Sequence, residues 1–279
     1  MAIISNEELV RCFRDTKHFY EEDFTLSEAA ADTNRRVKVY PVNFSEEVDV
    51  KKAGEIRVVE GRTLQEALKL HAEFPGRKIA VLSFAASVRP GGGVLSGCHA
   101  QEESICRSST LYPSLQTQTA YDGFYEYHHN YCDWRASDTC IYSPDVVVCK
   151  DDSDSKPERL AHEEFIKVDV ITCAAPHVFR NVEVSDGELF AMNVKRARNI
   201  MRVAAYNGAD ILITGAFGCG AFRNSPEIVA GAWHEALKDY RGKFDLVDFV
   251  IYVSDYEPKR PGGEHNLQVF RNEFCGKEI

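Results

Sequence analysis

The chain has 279 residues, of which 44% are hydrophobic and 27% are charged, and its formal net charge is −10 at pH 7. This size and composition predict one large or two small globular domains with a sizeable core. The negative charge argues against a broad nucleic-acid or membrane surface, so we expect neither direct DNA binding nor a membrane partner.

Apolar periodicity and turn residues divide the chain into alternating helices and strands. Predicted helices cover 6–19, 25–36, 63–75, 188–205 and 226–240, with a further helix beginning after 100. Predicted strands cover 56–59, 79–84, 145–149, 168–173, 210–214 and 247–253. The alternation over 56–253 predicts an α/β sandwich with helices on both faces of a mixed sheet. We expect a single domain over 1–279, in which 1–55 is a helical N-terminal extension packed on the core of 56–253.

Local signals add detail to these elements. Thr63 and Glu66 have the spacing of a capping box, and Ser225 followed by Pro226 predicts another helix start. The segment 113–144 is rich in aromatic and turn-forming residues, which predicts a long surface excursion with the character of a lid. The acidic run 151–157 predicts a polar turn.

The first stretch that indicates chemistry follows the strand over 79–84. It contains Gly91, Gly92 and Gly93, and seven residues later Gln101, Glu102 and Glu103. Consecutive glycines let the backbone approach a ligand closely and leave N–H groups uncovered. Two adjacent carboxylates near such a loop favour acid–base chemistry on whatever the loop holds.

A second glycine-rich loop, residues 215–224, lies between a predicted strand and the N-terminus of a predicted helix. Backbone N–H groups and the helix dipole suit such a junction to a phosphate or diphosphate. The loop lacks the Gly-Lys-Ser/Thr of a Walker motif and the spacing of a Rossmann fingerprint. Taken alone it is equally consistent with a structural turn.

Together these stretches resemble those of a known family. The run 82–104, with Gly-Gly-Gly, a spacer and Gln-Glu-Glu, resembles the signature of compact bacterial poly(ADP-ribose) glycohydrolases. The second loop is similar to the diphosphate-binding loop of macrodomains and their glycohydrolase relatives. The run 168–176 is similar to a strand of that family that ends in a small-residue–Pro turn. The resemblance implies a macrodomain-like three-layer α/β/α sandwich.

The resemblance also implies an activity and a set of site residues. The implied reaction is hydrolysis of the ribose–ribose O-glycosidic bonds of poly(ADP-ribose), free or on an ADP-ribosylated protein, with ADP-ribose as product and no cofactor. Glu103 is the implied general acid and base, and Glu102 the implied ligand of ribose hydroxyls. The implied substrate-binding residues are Gly91, Gly92, Gly93, Val94, Gln101, Gly218, Cys219, Gly220, Ala221, Phe222 and Asn224. Phe222 would brace the ligand, and Asn224 would hold the loop or contact ribose.

The chemistry agrees with these roles. Glycoside cleavage passes through an oxocarbenium-like state, so an acid must protonate the leaving oxygen and a carboxylate must then activate water. Glu102 and Glu103 lie roughly 100° apart on a helix, so they cannot present their carboxylates identically. We expect burial and like charge to raise the pKa of one of them.

Two alternatives stay open. The chain would also suit a mono-ADP-ribosyl hydrolase acting on protein or small acceptors, or a non-catalytic ADP-ribose-binding macrodomain. A reader protein needs no glutamate at position 103, so the intact pair favours an enzyme. Ser83, Arg89 and Val94 stand where the family often has asparagine, asparagine and an aromatic residue, which leaves in doubt how the ribose and the next unit are held.

Other candidate residues carry weaker signals. His128, His129, Cys132 and Cys140 lack a standard zinc spacing, so we expect no metal site. Cys219 is predicted to be a small loop residue rather than a nucleophile partnered by His177. The aromatic residues over 121–134 would either stack on adenine or pin a loop.

Cysteine usage and the N-terminus point to one compartment. Nine cysteines are scattered without a C-x-x-C pair, and a chain of this length needs no disulfides. The first residues lack the regions of a signal peptide, and no stretch approaches 18 apolar residues. We therefore expect a cytoplasmic protein.

Overall fold

A seven-stranded mixed sheet forms the centre of the computed structural model, which describes residues 4–42, 44–45, 54–153, 156–179, 181–253 and 262–275. The strands are β1 (Lys38–Tyr40), β2 (Glu55–Glu60), β3 (Ile79–Phe84), β4 (Cys140–Val148), β5 (Ile166–Cys173), β6 (Ile211–Thr214) and β7 (Leu246–Ile251). Their order is β1-β4-β5-β3-β6-β7-β2. The pairs β1–β4 and β4–β5 are antiparallel, and the remaining pairs are parallel.

Helices cover both faces of the sheet. They are α1 (Asn6–Glu22), α2 (Phe24–Arg36), α3 (Thr63–Glu73), α4 (Gln101–Ser108), α5 (Leu111–Leu115), α6 (Gln118–Ala120), α7 (Tyr127–Tyr131), α8 (Asp186–Tyr206), α9 (Pro226–Tyr240) and α10 (Gly263–Phe274). Alternate residues of β3 enter two separate core clusters: Ala80 and Leu82 pack with α8 and α9, and Ile79 and Val81 pack with α3. This period-two alternation confirms the predicted sandwich.

The N-terminal helices form as predicted and are fixed to the sandwich. Ser5 and Glu8 make a capping box that opens α1. Lys150, which is 1% exposed, places its Nζ 2.6 Å from Asp15 Oδ2 of α1. The predicted helical extension over 1–55 also contains strand β1, which pairs with β4. Residues 46–53 lie outside the described residues, and the domain boundaries stay a prediction.

The capping of α3 and the presence of a C-terminal helix differ from the sequence prediction. Thr63 is the first residue of α3 rather than its cap, and its hydroxyl accepts a hydrogen bond from Gln101. The cap comes from Asp152, whose Oδ2 accepts from Leu64 N at 3.1 Å, and a partner so distant in sequence leaves no local signal. Helix α10 was not predicted; its Phe270 and Phe274 pack on Phe249. Residues 154 and 155 of the predicted polar turn lie outside the described residues.

The lid predicted over 113–144 is wrong. The segment is a series of short helices with a π-helix at Tyr121–Glu126, and β4 begins inside it at Cys140. Phe124 and Tyr125 are at most 1% exposed and belong to the core. The buried His128 donates from Nδ1 to Phe124 O and accepts at Nε2 from Ser137 N, and burial lowers its pKa. Among the described residues, no group of three or more His, Cys, Asp or Glu is placed to hold a metal ion.

Within the described ranges, no helix is both long and apolar enough to cross a bilayer.

Asp248 on β7 is an ionisable group inside the core, and it makes folding sensitive to pH. It is 0% exposed, and neither carboxyl oxygen has a partner among the described residues. Burial raises its pKa to about 7, and Glu66 adds to the rise while Arg57 and Lys69 oppose it. Because the unfolded pKa is near 4, the folded state holds a proton between about pH 4 and 7 that the unfolded state has lost. Stability should therefore fall as pH rises through that window.

Asp248→Asn should remove this pH dependence, since an amide resembles the neutral acid and cannot ionise. We expect the variant to be more stable than the parent at pH 8 by roughly 2 to 4 kcal/mol, with little difference at pH 4. Urea unfolding at pH 4, 6 and 8 measures this. An unchanged pH slope in Asp248→Asn would show that the carboxylate ionises in the fold without cost.

Candidate active site

The two glycine-rich loops meet at one edge of the sheet. Strands β5, β3 and β6 are adjacent and parallel, so their carboxyl ends lie side by side. The glycine triplet follows β3, the second glycine loop follows β6, and the Ala174-Ala175-Pro176 turn follows β5. In open α/β sheets, the crevice beyond the carboxyl ends of the strands is where ligands bind.

Gln101 fixes the first turn of α4 to β3. Its Oε1 accepts from Phe84 N at 2.8 Å, and its Nε2 donates to Leu82 O at 2.7 Å and to Thr63 Oγ1 at 3.2 Å. The sequence predicted a substrate contact at Gln101. With its amide bonded to three protein groups, the geometry favours a positioning role.

Glu102 and Glu103 are both buried, with exposed fractions of 2% and 6%. Glu102 Oε2 accepts from Ala86 N at 2.8 Å, and Glu103 Oε1 accepts from Gly93 N at 2.7 Å. The second oxygens, Glu102 Oε1 and Glu103 Oε2, have no partner among the described residues. Each carboxylate is thus anchored by a backbone amide of the loop, and each has one buried oxygen without a partner among the described residues.

The two carboxyl groups and the neighbouring Arg107 are all buried, which shifts the pKa values of Glu102 and Arg107. Burial raises the pKa of Glu102 well above its ordinary value; the Ala86 amide opposes the rise and the neighbouring Glu103 adds to it. Arg107 is 3% exposed and donates from Nη1 to Cys98 O at 2.7 Å. Burial lowers the pKa of Arg107, and the Glu103 carboxylate raises it. The sequence predicted a raised pKa for one of the two glutamates, and the structure gives it to Glu102. The guanidinium of Arg107, held by Cys98 O, interacts with the Glu103 carboxylate.

The glycine triplet makes room for these side chains. A Cβ on Gly92 would lie 2.4 Å from Glu103 Oε1 and 2.8 Å from Glu102 Oε2, and the φ of Gly92 is +58°. A Cβ on Gly93 would lie 2.3 Å from Cys98 Sγ, and one on Gly91 would lie 2.7 Å from the Tyr112 ring. The lack of a side chain at Gly92 therefore lets the loop lie against the two carboxylates, a function that the sequence did not reveal.

The three positions that depart from the family pattern have different surroundings. Ser83 is fully buried in β3, and Arg89 is exposed at the start of the loop. Val94, predicted to bind substrate, is 0% exposed and packs in the core below the loop. A ligand would reach the backbone of Val94 rather than its side chain.

Asn224 holds the second loop. It is 2% exposed, and its Nδ2 donates to Pro176 O at 2.8 Å and to Gly218 O at 3.1 Å. Its Oδ1 accepts from Asn193 Nδ2 at 3.3 Å. Of the two roles predicted for Asn224, these contacts favour holding the loop over contacting ribose.

The middle of the second loop presents free backbone donors. In the described part of the chain, the N–H groups of Gly220, Ala221 and Phe222 donate to no protein acceptor. Gly220 and Ala221 are exposed, and a Cβ on Gly220 would meet nothing within 4 Å. Helix α9 begins four residues later, at Pro226. Unpaired backbone N–H groups close to a helix N-terminus are an arrangement that can bind phosphate.

Cys219 and Phe222 make protein contacts in the same loop. Burial raises the pKa of the Cys219 thiol far above its ordinary value, so the thiol is neutral and a poor nucleophile. The Phe222 ring stacks on His177, with centroids 4.5 Å apart and planes 14° apart. One face of Phe222 is therefore already covered by protein.

Sequence reasoning missed a polar group that supports α4. Asp152 is 2% exposed; its Oδ1 accepts from Ser104 Oγ at 2.6 Å and from Arg62 Nη2 at 2.9 Å. These residues lie 42 to 90 positions apart in the chain, so no local pattern connects them.

Comparisons with known proteins agree with this geometry. Residues 7–151 match the family model for the catalytic domain of microbial-type PARG. A crystal structure of poly(ADP-ribose) glycohydrolase (PARG) from Thermomonospora curvata is 30% identical, with a TM-score of 0.82, over 96% of this chain and 100% of that chain. Its complex with the inhibitor ADP-HPD gives 28% identity and a TM-score of 0.76 over the same shares.

The glycohydrolase from Deinococcus radiodurans in complex with ADP-ribose is 28% identical, with a TM-score of 0.72, over 88% of this chain and 96% of that chain. A search of curated protein sequences finds no match. The family match covers more than half of the chain, including the glycine triplet and both glutamates. The chain therefore belongs to the family of microbial-type poly(ADP-ribose) glycohydrolases.

Proposed function

We infer that this chain hydrolyses poly(ADP-ribose) to ADP-ribose, the activity of its family, and we propose that Glu103 and Glu102 carry out the chemistry. The observation that carries the proposal is the pair of buried carboxylates, each anchored by one loop amide and each with one oxygen unpartnered among the described residues. A buried acid with a fixed orientation is what protonation of a leaving glycosidic oxygen requires.

The proposed sequence of steps uses Glu103 twice. Its free Oε2 first delivers a proton to the leaving ribose oxygen as the bond to the anomeric carbon breaks. The resulting carboxylate then takes a proton from the water that attacks the oxocarbenium-like ribose. Glu102 accepts hydroxyl hydrogen bonds of the same ribose through Oε1. The bond from Gly93 N holds the Glu103 carboxylate in place during both steps.

The electrostatics favour a second assignment for the proton. Burial raises the pKa of Glu102, so Glu102 holds a proton more readily than an ordinary glutamate. Glu102 would then be the donor, and Glu103 would stabilise the positive charge that develops on ribose. Comparing Glu102→Gln with Glu103→Gln on the same substrate separates the two assignments.

The diphosphate of the substrate is proposed to lie on the N–H groups of Gly220, Ala221 and Phe222. Those donors have no acceptor in the described chain, and two of the three residues are exposed. Related glycohydrolases are described in complex with ADP-ribose and with ADP-HPD, which supports ADP-ribose as the product that this site releases.

Incubation with defined poly(ADP-ribose), and separately with mono-ADP-ribosylated protein, tests the function. We expect ADP-ribose to appear from the polymer. Release from the mono-ADP-ribosylated protein alone would favour the mono-ADP-ribosyl hydrolase, and binding without release would favour a reader. We also propose a cytoplasmic location, supported by nine cysteines that are all free.

Gly220→Asp should weaken ADP-ribose binding at least tenfold. The new carboxylate fits sterically, because nothing lies within 4 Å of the Cβ position, but it places negative charge beside the diphosphate. Titration calorimetry with ADP-ribose measures the change. Gly220→Ala is the matched control, since it adds the Cβ without charge and should bind within about twofold of the parent. Equal affinity for both variants would show that the diphosphate does not bind at this loop.

A further inference from the structure

A stack of three rings extends from the second glycine loop toward β5. Phe222 stacks on His177, and His177 in turn packs on Phe179 with centroids 4.0 Å apart and planes 36° apart. Phe179 ends the stack with a side chain that is 51% exposed. Core packing does not explain why this phenylalanine is exposed at the end of a ring stack. Its place beside the proposed ligand site suggests a binding surface.

The stack is held in a fixed position. Val178 N donates to Phe222 O at 2.9 Å, which joins the loop after β5 to the loop after β6. His177 N donates to Trp134 O at 2.7 Å, and the Arg135 guanidinium lies 4.9 Å from the centroid of the Trp134 ring. Burial lowers the pKa of His177, with a contribution from Arg223, so its ring is neutral and suited to stacking. The rings therefore form a preorganised ledge.

The order of the strands indicates what lies over this ledge. The proposed diphosphate site follows β6, and the carboxylates proposed to act on the cleaved ribose lie on α4 and contact the loop after β3. The next strand in the same direction is β5, whose loop carries His177 and Phe179. The ring ledge therefore bridges the two loops that flank β3, and its exposed end, at the β5 loop, is open to the unit that leaves the cleaved ribose.

We propose that the exposed end of the Phe222–His177–Phe179 stack is a subsite for the adenine of the polymer unit whose ribose oxygen leaves when the bond is cleaved. This inference rests on the proposed function. Each polymer unit carries its adenine on the ribose that supplies the leaving oxygen, so a base is always present on this side of the bond. Flat aromatic side chains hold nucleobases by stacking, which contributes about 1–3 kcal/mol per base.

Phe179→Ala tests the subsite with two substrates. One is an ADP-ribose dimer, whose leaving group carries adenine. The other is an alkyl glycoside of ADP-ribose, in which a small alkyl group is bonded to the anomeric oxygen of the distal ribose, so that its leaving group is an alcohol without a base. We expect Phe179→Ala to lower kcat/KM for the dimer about 5- to 100-fold, the range that stacking predicts, and to change the alkyl glycoside by no more than about twofold.

Two further variants serve as controls for the effect of Phe179→Ala. Phe179→Trp should restore the dimer rate, because a larger ring still stacks. Phe24→Ala removes a ring that is 74% exposed on α2, outside the proposed site, and should alter neither substrate. If the parent cleaves neither substrate, the proposed function fails and this inference fails with it. If the parent cleaves both, equal slowing of both by Phe179→Ala overturns the subsite alone. Unchanged cleavage of the dimer by Phe179→Ala also overturns it.

Discussion

Glu103→Gln is expected to cut hydrolysis of poly(ADP-ribose) by roughly 100- to 10,000-fold, the usual contribution of a general acid–base group. The glutamine keeps the shape of the side chain and can still accept the bond from Gly93 N, but it has no proton to transfer. ADP-ribose should therefore bind with near-parent affinity while turnover is lost. Released ADP-ribose and calorimetric affinity, measured on the same preparation, give the two quantities.

Glu66→Gln is the matched control for this variant. Glu66 is 7% exposed, a burial close to that of Glu103, but it lies on α3 and pairs with Lys69 at 2.9 Å. Its substitution should leave turnover unchanged. Glu102→Gln should reduce both affinity and rate, since ribose hydroxyls lose a charged acceptor. If Glu103→Gln keeps more than a tenth of parent activity while Glu102→Gln loses it, the acid is Glu102, as its raised pKa favours.

Elements with a strong local pattern could be predicted from the sequence. Strand β3 and helix α9 begin and end at the predicted residues, because an apolar run bounded by turn signals and a Ser-Pro start are local features. The alternation of such elements was enough to predict a three-layer sandwich. The two glycine loops were located for the same reason, since glycine runs after strands are visible without knowledge of the fold.

What failed depended on contacts between distant residues. The aromatic residues around Phe124 resemble a surface excursion in sequence, but in the fold they belong to the same core cluster as β-strand residues such as Val146 and Val168. The partners that hold Gln101, Thr63 and Leu82, lie 38 and 19 positions away, so its contacts within the protein left no local signal, and its substrate contact stays a prediction. A motif shows which side chains gather at a site; it does not show which of them hold the others in place.

The second prediction with a large expected effect concerns Gly92. The sequence predicted that the glycine triplet lets the backbone approach a ligand, and the structure adds that Gly92 makes room for the two carboxylates. We expect Gly92→Ala to lower kcat at least about 100-fold. The new methyl group would lie 2.4 Å from Glu103 Oε1 and 2.8 Å from Glu102 Oε2, so both carboxylates must move away from the amides that anchor them. Misplacing a catalytic group by about 1 Å costs on this order.

Gly208→Ala is the control that separates the effect of the steric contact at Gly92 from the effect of backbone strain. Gly208 has φ +80°, comparable to the +58° of Gly92, but nothing lies within 4 Å of its Cβ position at the end of α8. Both variants force alanine into the left-handed region at a cost of about 1–2 kcal/mol. Urea unfolding should show this loss for Gly208→Ala and a larger loss for Gly92→Ala, whose methyl group also displaces the two carboxylates. Activity assays at a temperature where both variants are folded should then differ: Gly208→Ala keeps the parent kcat and Gly92→Ala loses it. Equal kcat for the two would mean that the carboxylates yield to the methyl group without losing their geometry, and that the triplet serves the ligand instead of the glutamates.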